Sequence, residues 1–384
     1  MSFRAIQLGA LLQLAALCAA LGSSPSFADA PPPPQVAASA WLLMDLTADQ
    51  PIVSHDADAR VEPASLTKLM TAYLTFAALE KKSITLDQQA PVSEKAWKTG
   101  GSRMFIEPRK PVTVAELLRG MIVQSGNDAT IALAELIAGS EDVFAQMMNR
   151  EAQRIGMKNT NFTNASGWPD AKHYSTARDL ATLAAALIRD FPEYYKLYSL
   201  KEFSYNNITQ QNRNRLLWLD PNVDGVKTGH TEAAGYCLIA SAKRGPRRLL
   251  SVVLGTRSDA QRAQESQKLL SYGFQFYDSV RVYEKGQAIS TLRVWKGARN
   301  ELKAGLPGNL YVVLPKGEAD KLTADFVSQQ PLIAPVSEGQ PVGTVRLTLE
   351  GKPFGEHTAV ALENVEVAGF FGRMWDTMRL WWKK

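Results

Sequence analysis

Three short polar clusters hold the residues whose types and spacing could do chemistry. Pro63-Ala64-Ser65-Leu66-Thr67-Lys68 opens a long apolar-patterned segment, so Ser65 and Lys68 stand one turn apart on one face of a helix start. A hydroxyl there lies at the positive end of the helix with an amine in hydrogen-bonding reach. A lysine desolvated at that place, or held near another cation, loses proton affinity and can act as general base to the serine. Ser125-Gly126-Asn127 falls in the turn between two apolar helical segments. From such a turn a hydroxyl can relay a proton to a leaving amine, and an amide can hold a substrate carbonyl. Lys227-Thr228-Gly229-His230 precedes a strand-rich hairpin. On a sheet edge a lysine, a hydroxyl and a side-chain-free glycine can meet an extended substrate and bind its carboxylate.

Each cluster also has a reading without chemistry. Ser65 can cap a helix beside a solvated Lys68, Asn127 or Asp128 can cap the next helix, and Lys227 can lie in a solvated turn. Two of the patterns recur: Ser204-Tyr205-Asn206 repeats the second and Lys98-Thr99-Gly100 the third. Lys227 is preferred to Lys98 because it follows Val223-Asp224-Gly225-Val226 and leads towards a strong strand. Lys98 sits with Lys95, Trp97 and Gly101 in a loop-like stretch.

The elements that must position these clusters are legible as periodic runs. Trp41 to Asp45 reads as a strand, and Leu66 to Lys82 as a helix with an apolar stripe at Leu66, Leu69, Tyr73 and Phe76. Thr113 and Glu116 form a capping box for a helix through Val123, and a second helix runs from Asp128 to Ala138 and stops at Gly139. Ser140 caps a helix ending near Gly156, and Thr176 caps one running to Asp190. Gly235 to Ala242 and Arg248 to Thr256 are β-branched and apolar runs around Lys243-Arg244-Gly245-Pro246, a hairpin. Ser258 to Gly273 returns to helix. From about Leu292 to Val367 short strands alternate with Gly and Pro turns, a separate small β domain.

Composition sets the bounds around this core. The chain has 384 residues, 45% hydrophobic and 21% charged, which suits two or three folded units and excludes a disordered chain or a polytopic membrane protein. A net charge of +5 is too small for a nucleic-acid binder coated in cations. Two cysteines, Cys18 and Cys237, exclude a disulfide scaffold or a multi-cysteine metal site, and four scattered histidines offer no ligand cluster.

The two ends read as segments distinct from the folded core. Arg4, the apolar run Ala5 to Leu21 and the small residues to Ala28 or Ala30 read as an export signal, with cleavage after Ala28 favoured because Pro31 would follow the other site. A buried N-terminal helix is the alternative. Cys18, preceded by Leu17, belongs to the apolar run rather than to a lipid-attachment site, so the mature chain keeps only Cys237. At the far end Phe370, Phe371, Met374, Trp375, Met378, Trp381 and Trp382 fall within an arc of about 140° on a helical projection. Arg373, Asp376, Thr377, Arg379, Lys383 and Lys384 occupy the rest, with Leu380 out of place. Such a helix lies in the headgroup layer of a membrane and is too short and charged to span it; packing on the protein's own core is the alternative. The expected plan is a signal over 1–28, a proline-rich linker over 29–38, a catalytic domain over 39–290, a β domain over 291–366 and the amphipathic helix over 367–384.

Taken in order, Ser65-x-x-Lys68, Ser125-Gly126-Asn127 and Lys227-Thr228-Gly229 form the three-motif set of penicillin-binding proteins and serine β-lactamases. Pro63-Ala-Ser-Leu-Thr-Lys-Leu-Met-Thr, Gln124-Ser-Gly-Asn-Asp-Ala, Tyr174-Ser-Thr-Ala-Arg-Asp and Asp224-Gly-Val-Lys-Thr-Gly-His-Thr closely resemble the low-molecular-mass D-alanyl-D-alanine carboxypeptidases. The resemblance covers nearly the whole mature chain. It implies an α+β architecture: a β-lactamase/transpeptidase-like domain, with an antiparallel sheet and a helical subdomain, then a small all-β domain and an amphipathic C-terminal helix. It further implies Ser65 as the acylated nucleophile, Lys68 as its proton acceptor, Ser125 in proton transfer and Asn127 positioning the substrate amide. Lys227, Thr228 and Gly229 would hold the carboxylate of substrate or penicillin, with His230 shaping the site. Arg262 matches a family arginine near that carboxylate, although by itself it reads as a solvated helix residue. The oxyanion hole would be backbone N–H groups, that of Ser65 among them, and no cofactor or metal is implied.

The activity so implied is removal of the terminal D-alanine from peptidoglycan pentapeptide stems, with β-lactams as covalent inhibitors, at the periplasmic face of the bacterial inner membrane. A β-lactamase is disfavoured because no Glu-x-x-Leu-Asn-like stretch lies between the second and third motifs, and because it explains neither the β domain nor the tail. A D,D-endopeptidase would use the same residues on cross-links. A silent wall-binding protein would be favoured by an altered Ser65 or Lys68, and both are intact.

Overall fold

The computed structural model describes residues 31–382; the expected signal, Cys18, Lys383 and Lys384 lie outside the described residues. The first folded unit is built on a five-stranded antiparallel sheet. Its strands are β1 (Ala40–Asp45), β2 (Gln50–His55), β3 (Val223–Thr231), β4 (Gly235–Arg244) and β5 (Arg247–Thr256), in the order β2-β1-β5-β4-β3. Successive side chains of a strand leave opposite faces. Along β1, Ala40 and Leu42 accordingly enter one apolar cluster, and Trp41 and Leu43 enter another.

The larger cluster belongs to a helical subdomain made of α1 (Lys68–Glu80), α2 (Val114–Arg119), α3 (Asn127–Ala138), α4 (Glu141–Ile155) and α5 (Ala177–Asp190). The Thr113–Glu116 capping box forms as read, and Ser140 and Thr176 cap α4 and α5 through their hydroxyls. α1 differs from its expected one-sided stripe: Met70, Ala72 and Leu74 are buried along with Leu69, Tyr73 and Phe76. A helix apolar all round lies at the centre of its domain. The other sheet face is covered by α6 (Asp259–Phe276), through Ala263, Leu269 and Leu270.

The β unit begins earlier than the boundary expected at 291. β6 (Tyr277–Tyr283) leaves α6 without a linker and pairs with β9 (Leu310–Pro315). A six-stranded sheet follows, from β7 (Ala288–Trp295), β8 (Glu301–Gly305), β10 (Leu322–Ser328), β11 (Leu332–Ile333), β12 (Pro341–Leu349) and β13 (Lys352–Ala361). Val280 and Val282 alternate with Ser279 and Arg281, a pattern that the preceding helical run obscures in the sequence. Asp45 ties the two units together: its buried carboxylate accepts from Arg247 Nε at 2.8 Å and from the Ser279 hydroxyl. Removing one partner of a buried pair of this kind costs about 3–5 kcal/mol.

The chain ends in α7 (Phe370–Trp381). All seven stripe residues, Phe370, Phe371, Met374, Trp375, Met378, Trp381 and Trp382, are exposed, with Trp382 at 86%. The helix is held instead by its polar side. The buried Asp376 carboxylate accepts from the Lys296 N–H at 2.6 Å, and Leu380, one turn on, is half-buried. No helix among the described residues is long and apolar enough to cross a membrane.

Candidate active site

Ser65 does not sit on α1 itself. It lies on a 3-10 turn, Ala64–Thr67, that runs straight into α1 at Lys68. Residues three apart eclipse in 3-10 geometry, and this brings the Lys68 ammonium nitrogen to 2.9 Å from Ser65 Oγ. Lys68 is 1% exposed. Its Nζ also donates to Asn127 Oδ1 at 2.8 Å and to the Ser166 carbonyl at 2.6 Å. Burial, aided by the charge of Arg213, pulls the Lys68 pKa down to about 7.

Asn127 is not the helix cap that its position at the start of α3 allows. Gly126 occupies the cap position, and the Asn127 side chain spans the site, with Nδ2 donating to the Gly100 carbonyl at 2.8 Å. A carbonyl cannot donate, so this contact fixes which end of the amide faces Lys68. Asp128 does not cap either: it turns back and accepts from the N–H groups of Met104, Phe105 and Ile106, fastening the loop beside the site. Ser125 closes a π-helical turn, Gly120–Gln124, with φ of 65°. Such turns cluster at functional sites. Ser125 Oγ accepts from Lys227 Nζ at 2.9 Å.

Lys227 is 3% exposed, and its amine is taken up by Ser125 and the Thr228 carbonyl, beneath the cleft rather than in its wall. Burial, with the charges of Lys68, Arg213 and Arg262, holds its pKa well below the usual lysine range. Gly229 serves the scaffold: a Cβ there would meet the Pro63 carbonyl and Leu66 Cγ at 3.2 Å, so its bareness lets β3 lie against the Ser65 turn. His230 is exposed on the cleft wall with its ring 4.1 Å from that of Tyr236. Arg262 departs from the solvated reading. It is buried, its Nη1 donates to the Gly229 carbonyl at 3.1 Å, and Asp259 accepts from its Nη2. The open cleft above Ser65, about 1580 Å³, is lined among others by Ser125, Asn127, Trp168, Arg213, Thr228 and Arg262.

The recurring patterns separate clearly. Ser204 lies on a hairpin and bonds to Thr209, while Lys98 pairs with Glu94 in solvent. What the structure brings together is two buried amines, each on a hydroxyl, at the floor of one cleft.

A family model described as D-alanyl-D-alanine carboxypeptidase matches residues 27–258. The chain belongs to the D-alanyl-D-alanine carboxypeptidase family. Residues 277–367 match a second model, the penicillin-binding protein 5 C-terminal domain, which starts at β6. Among the carboxypeptidases, DacC of Escherichia coli is 44% identical over 351 residues, 89% of this chain and 88% of that protein. The crystal structure of penicillin binding protein 5 from Haemophilus influenzae matches with a TM-score of 0.84 at 42% identity, over 87% of this chain and 99% of that one. Penicillin-binding protein D2 from Listeria monocytogenes, in its ampicillin-bound form, matches with a TM-score of 0.59 at 29% identity, over 64% of this chain and all of that one.

Several residues of this carboxypeptidase site escape the motif reading. Ser166, Gly167 and Trp168 form a loop that underlies Lys68. A Cβ on Gly167, where φ is 82°, would stand 1.8 Å from the Ala64 carbonyl oxygen. His173 is buried behind this loop. Thr163 N–H donates to its Nδ1 at 3.1 Å, which leaves the proton on Nε2, 2.8 Å from Thr67 Oγ1. Burial lowers its pKa to about 4. The available signal was the glycine in Asn164-Ala165-Ser166-Gly167; nothing in the sequence marks Arg213 as a cleft residue.

Proposed function

We propose that this chain is an exported serine D-Ala-D-Ala carboxypeptidase that works through an acyl-enzyme on Ser65. The observation that carries the reading is the buried Lys68 amine, 2.9 Å from the Ser65 hydroxyl with its pKa brought down to about 7. A base matched to ambient pH is what an unactivated serine needs. Ser65 Oγ attacks the carbonyl carbon of the penultimate D-alanine of a peptidoglycan stem and gives its proton to Lys68. Collapse of the tetrahedral adduct breaks the C–N bond. The departing amine takes a proton through Ser125, whose oxygen is linked to Lys227 Nζ. Water then cleaves the ester and returns Ser65.

Thr228 and Arg262 face the substrate's terminal carboxylate from the cleft wall, and Arg213 adds charge. Lys227 acts on that carboxylate by charge from beneath, and an arriving anion favours its protonated form. Asn127 holds the substrate amide, and His230 bounds the cleft beside Thr228. A β-lactam presents the same carbonyl and carboxylate and acylates the same serine. The signal over 1–28 exports the chain, and α7 lays its aromatic stripe on the periplasmic face of the inner membrane.

The test is direct. Purified protein incubated with penicillin gives a single covalent adduct on Ser65 by mass spectrometry, Ser65→Ala gives none, and a pentapeptide stem releases D-alanine. An adduct elsewhere, or none, overturns the assignment. A chain ended at Val367 leaves the membrane fraction and keeps penicillin binding.

A further inference from the structure

α7 does not hang from the β domain as a free tether. Asp376 fastens it to the Lys296 N–H, and Ala368 N–H donates to the Lys296 carbonyl at 2.8 Å, so both polar groups of one residue hold the helix. This docking opens a seam of about 520 Å³ between helix and β domain, lined by Lys296, Ala334, Val367, Phe370, Arg373, Met374 and Thr377. Phe370, Arg373, Met374 and Thr377 recur at steps of three and four and form one ridge of α7 facing the seam. Ala334 and Val367 close its floor with apolar surface. Among the described residues neither the Lys296 ammonium nor the Arg373 guanidinium is in an ion pair, and the Asp376 carboxylate is spent on backbone. The seam thus pairs two unneutralised cations with an apolar floor, beside a stripe of exposed aromatic side chains.

We infer that this seam binds the phosphate headgroup of an anionic phospholipid, with Lys296 and Arg373 on the phosphate and Phe370 and Met374 against the first acyl carbons. The inference rests on the membrane reading of α7. With the stripe in the acyl boundary, cations on the flank of an interfacial helix lie at headgroup depth. Two surfaces side by side, one cationic and one apolar, suit an anionic amphiphile better than a free anion.

The probe is dihexanoyl phosphatidylglycerol, kept below its micelle concentration and titrated into the full-length protein while tryptophan fluorescence is followed. Saturable binding is expected, weakened about thirtyfold in Lys296→Ala/Arg373→Ala. Arg379→Ala removes a cation of the same helix that lies over Trp375, off the seam, and leaves the binding unchanged. Each variant is first shown to keep the circular dichroism spectrum and thermal unfolding profile of its parent, which establishes that the β domain and α7 remain folded. Non-saturable binding, or equal weakening by Arg379→Ala, overturns the site, and glycerol 1-phosphate binding as tightly as the lipid overturns the lipid. Sedimentation with phosphatidylglycerol vesicles separates the two readings. Protein that sediments but does not bind the soluble lipid loses the seam alone; protein that binds the soluble lipid without sedimenting loses the membrane reading and keeps the seam.

Discussion

Lys68 Nζ stands 2.9 Å from Ser65 Oγ, while its two other partners, Asn127 Oδ1 and the Ser166 carbonyl, can only accept. As an ammonium, Lys68 fills all three contacts with its three protons. As a neutral amine it keeps two, which the pure acceptors hold, and the lone pair is left facing the one partner that can donate, the Ser65 hydroxyl. The surroundings therefore aim the Lys68 lone pair at the Ser65 hydroxyl as well as lower the pKa of the amine.

Acylation by penicillin should rise with pH through about 7. The neutral amine is the competent form, and burial has brought the Lys68 pKa down to about 7, so below that value the rate falls about tenfold per pH unit. Asn127→Asp sets a carboxylate against the amine, favours the ammonium and moves this limb to higher pH. Lys68→Arg should cost about a hundred- to ten-thousandfold. The second-order acylation rate measured across pH decides, and a profile flat through neutrality would rule out Lys68 as base.

Arg213→Ala should move the same limb to higher pH, because the Arg213 charge helps depress Lys68. It should also raise KM for substrates ending in a free carboxylate, since Arg213 lines the cleft. Arg213→Lys keeps both effects in part. An unshifted limb with a raised KM would leave Arg213 a substrate contact only.

His173 should make folding sensitive to acid. Burial holds its folded pKa at about 4, below the unfolded value near 6.5, so its contribution is full above about 6.5 and is lost as pH falls towards 4. The loss is on the order of 3 kcal/mol. Urea unfolding across that range should show a shallower decline in His173→Gln, and parallel curves would refute the assignment.

Gly167→Ala should destabilise the fold by about 2–4 kcal/mol, since the added Cβ meets the Ala64 carbonyl oxygen at 1.8 Å on a backbone that already disfavours a side chain. Because Ser166 would shift away from Lys68, acylation should slow in the folded fraction as well. Thermal unfolding and single-turnover acylation read the two effects separately, and a variant as stable as its parent would mean that the loop yields freely.

Local chemistry was legible wherever it depends on near neighbours. The capping box at Thr113 and Glu116, the stops at Gly139 and Gly156, and the β4–β5 hairpin are short-range devices, and they form as read. The strand start at Tyr277 is not legible in the sequence, because β6 follows α6 directly.

By itself the sequence determined which residues carry reactive groups, in what order, and the spacing that sets Ser65 against Lys68, since three residues of one turn need no distant help. Tertiary structure alone decided what those groups become. Lys68 loses proton affinity because α1 is buried all round and Ser166, Asn127 and Arg213 arrive from 59 to 145 residues away. Arg262 turns from a surface helix residue into a buried partner of β3 because α6 lies on the sheet. Dielectric and distance set these properties, and both are made only when the chain closes on itself.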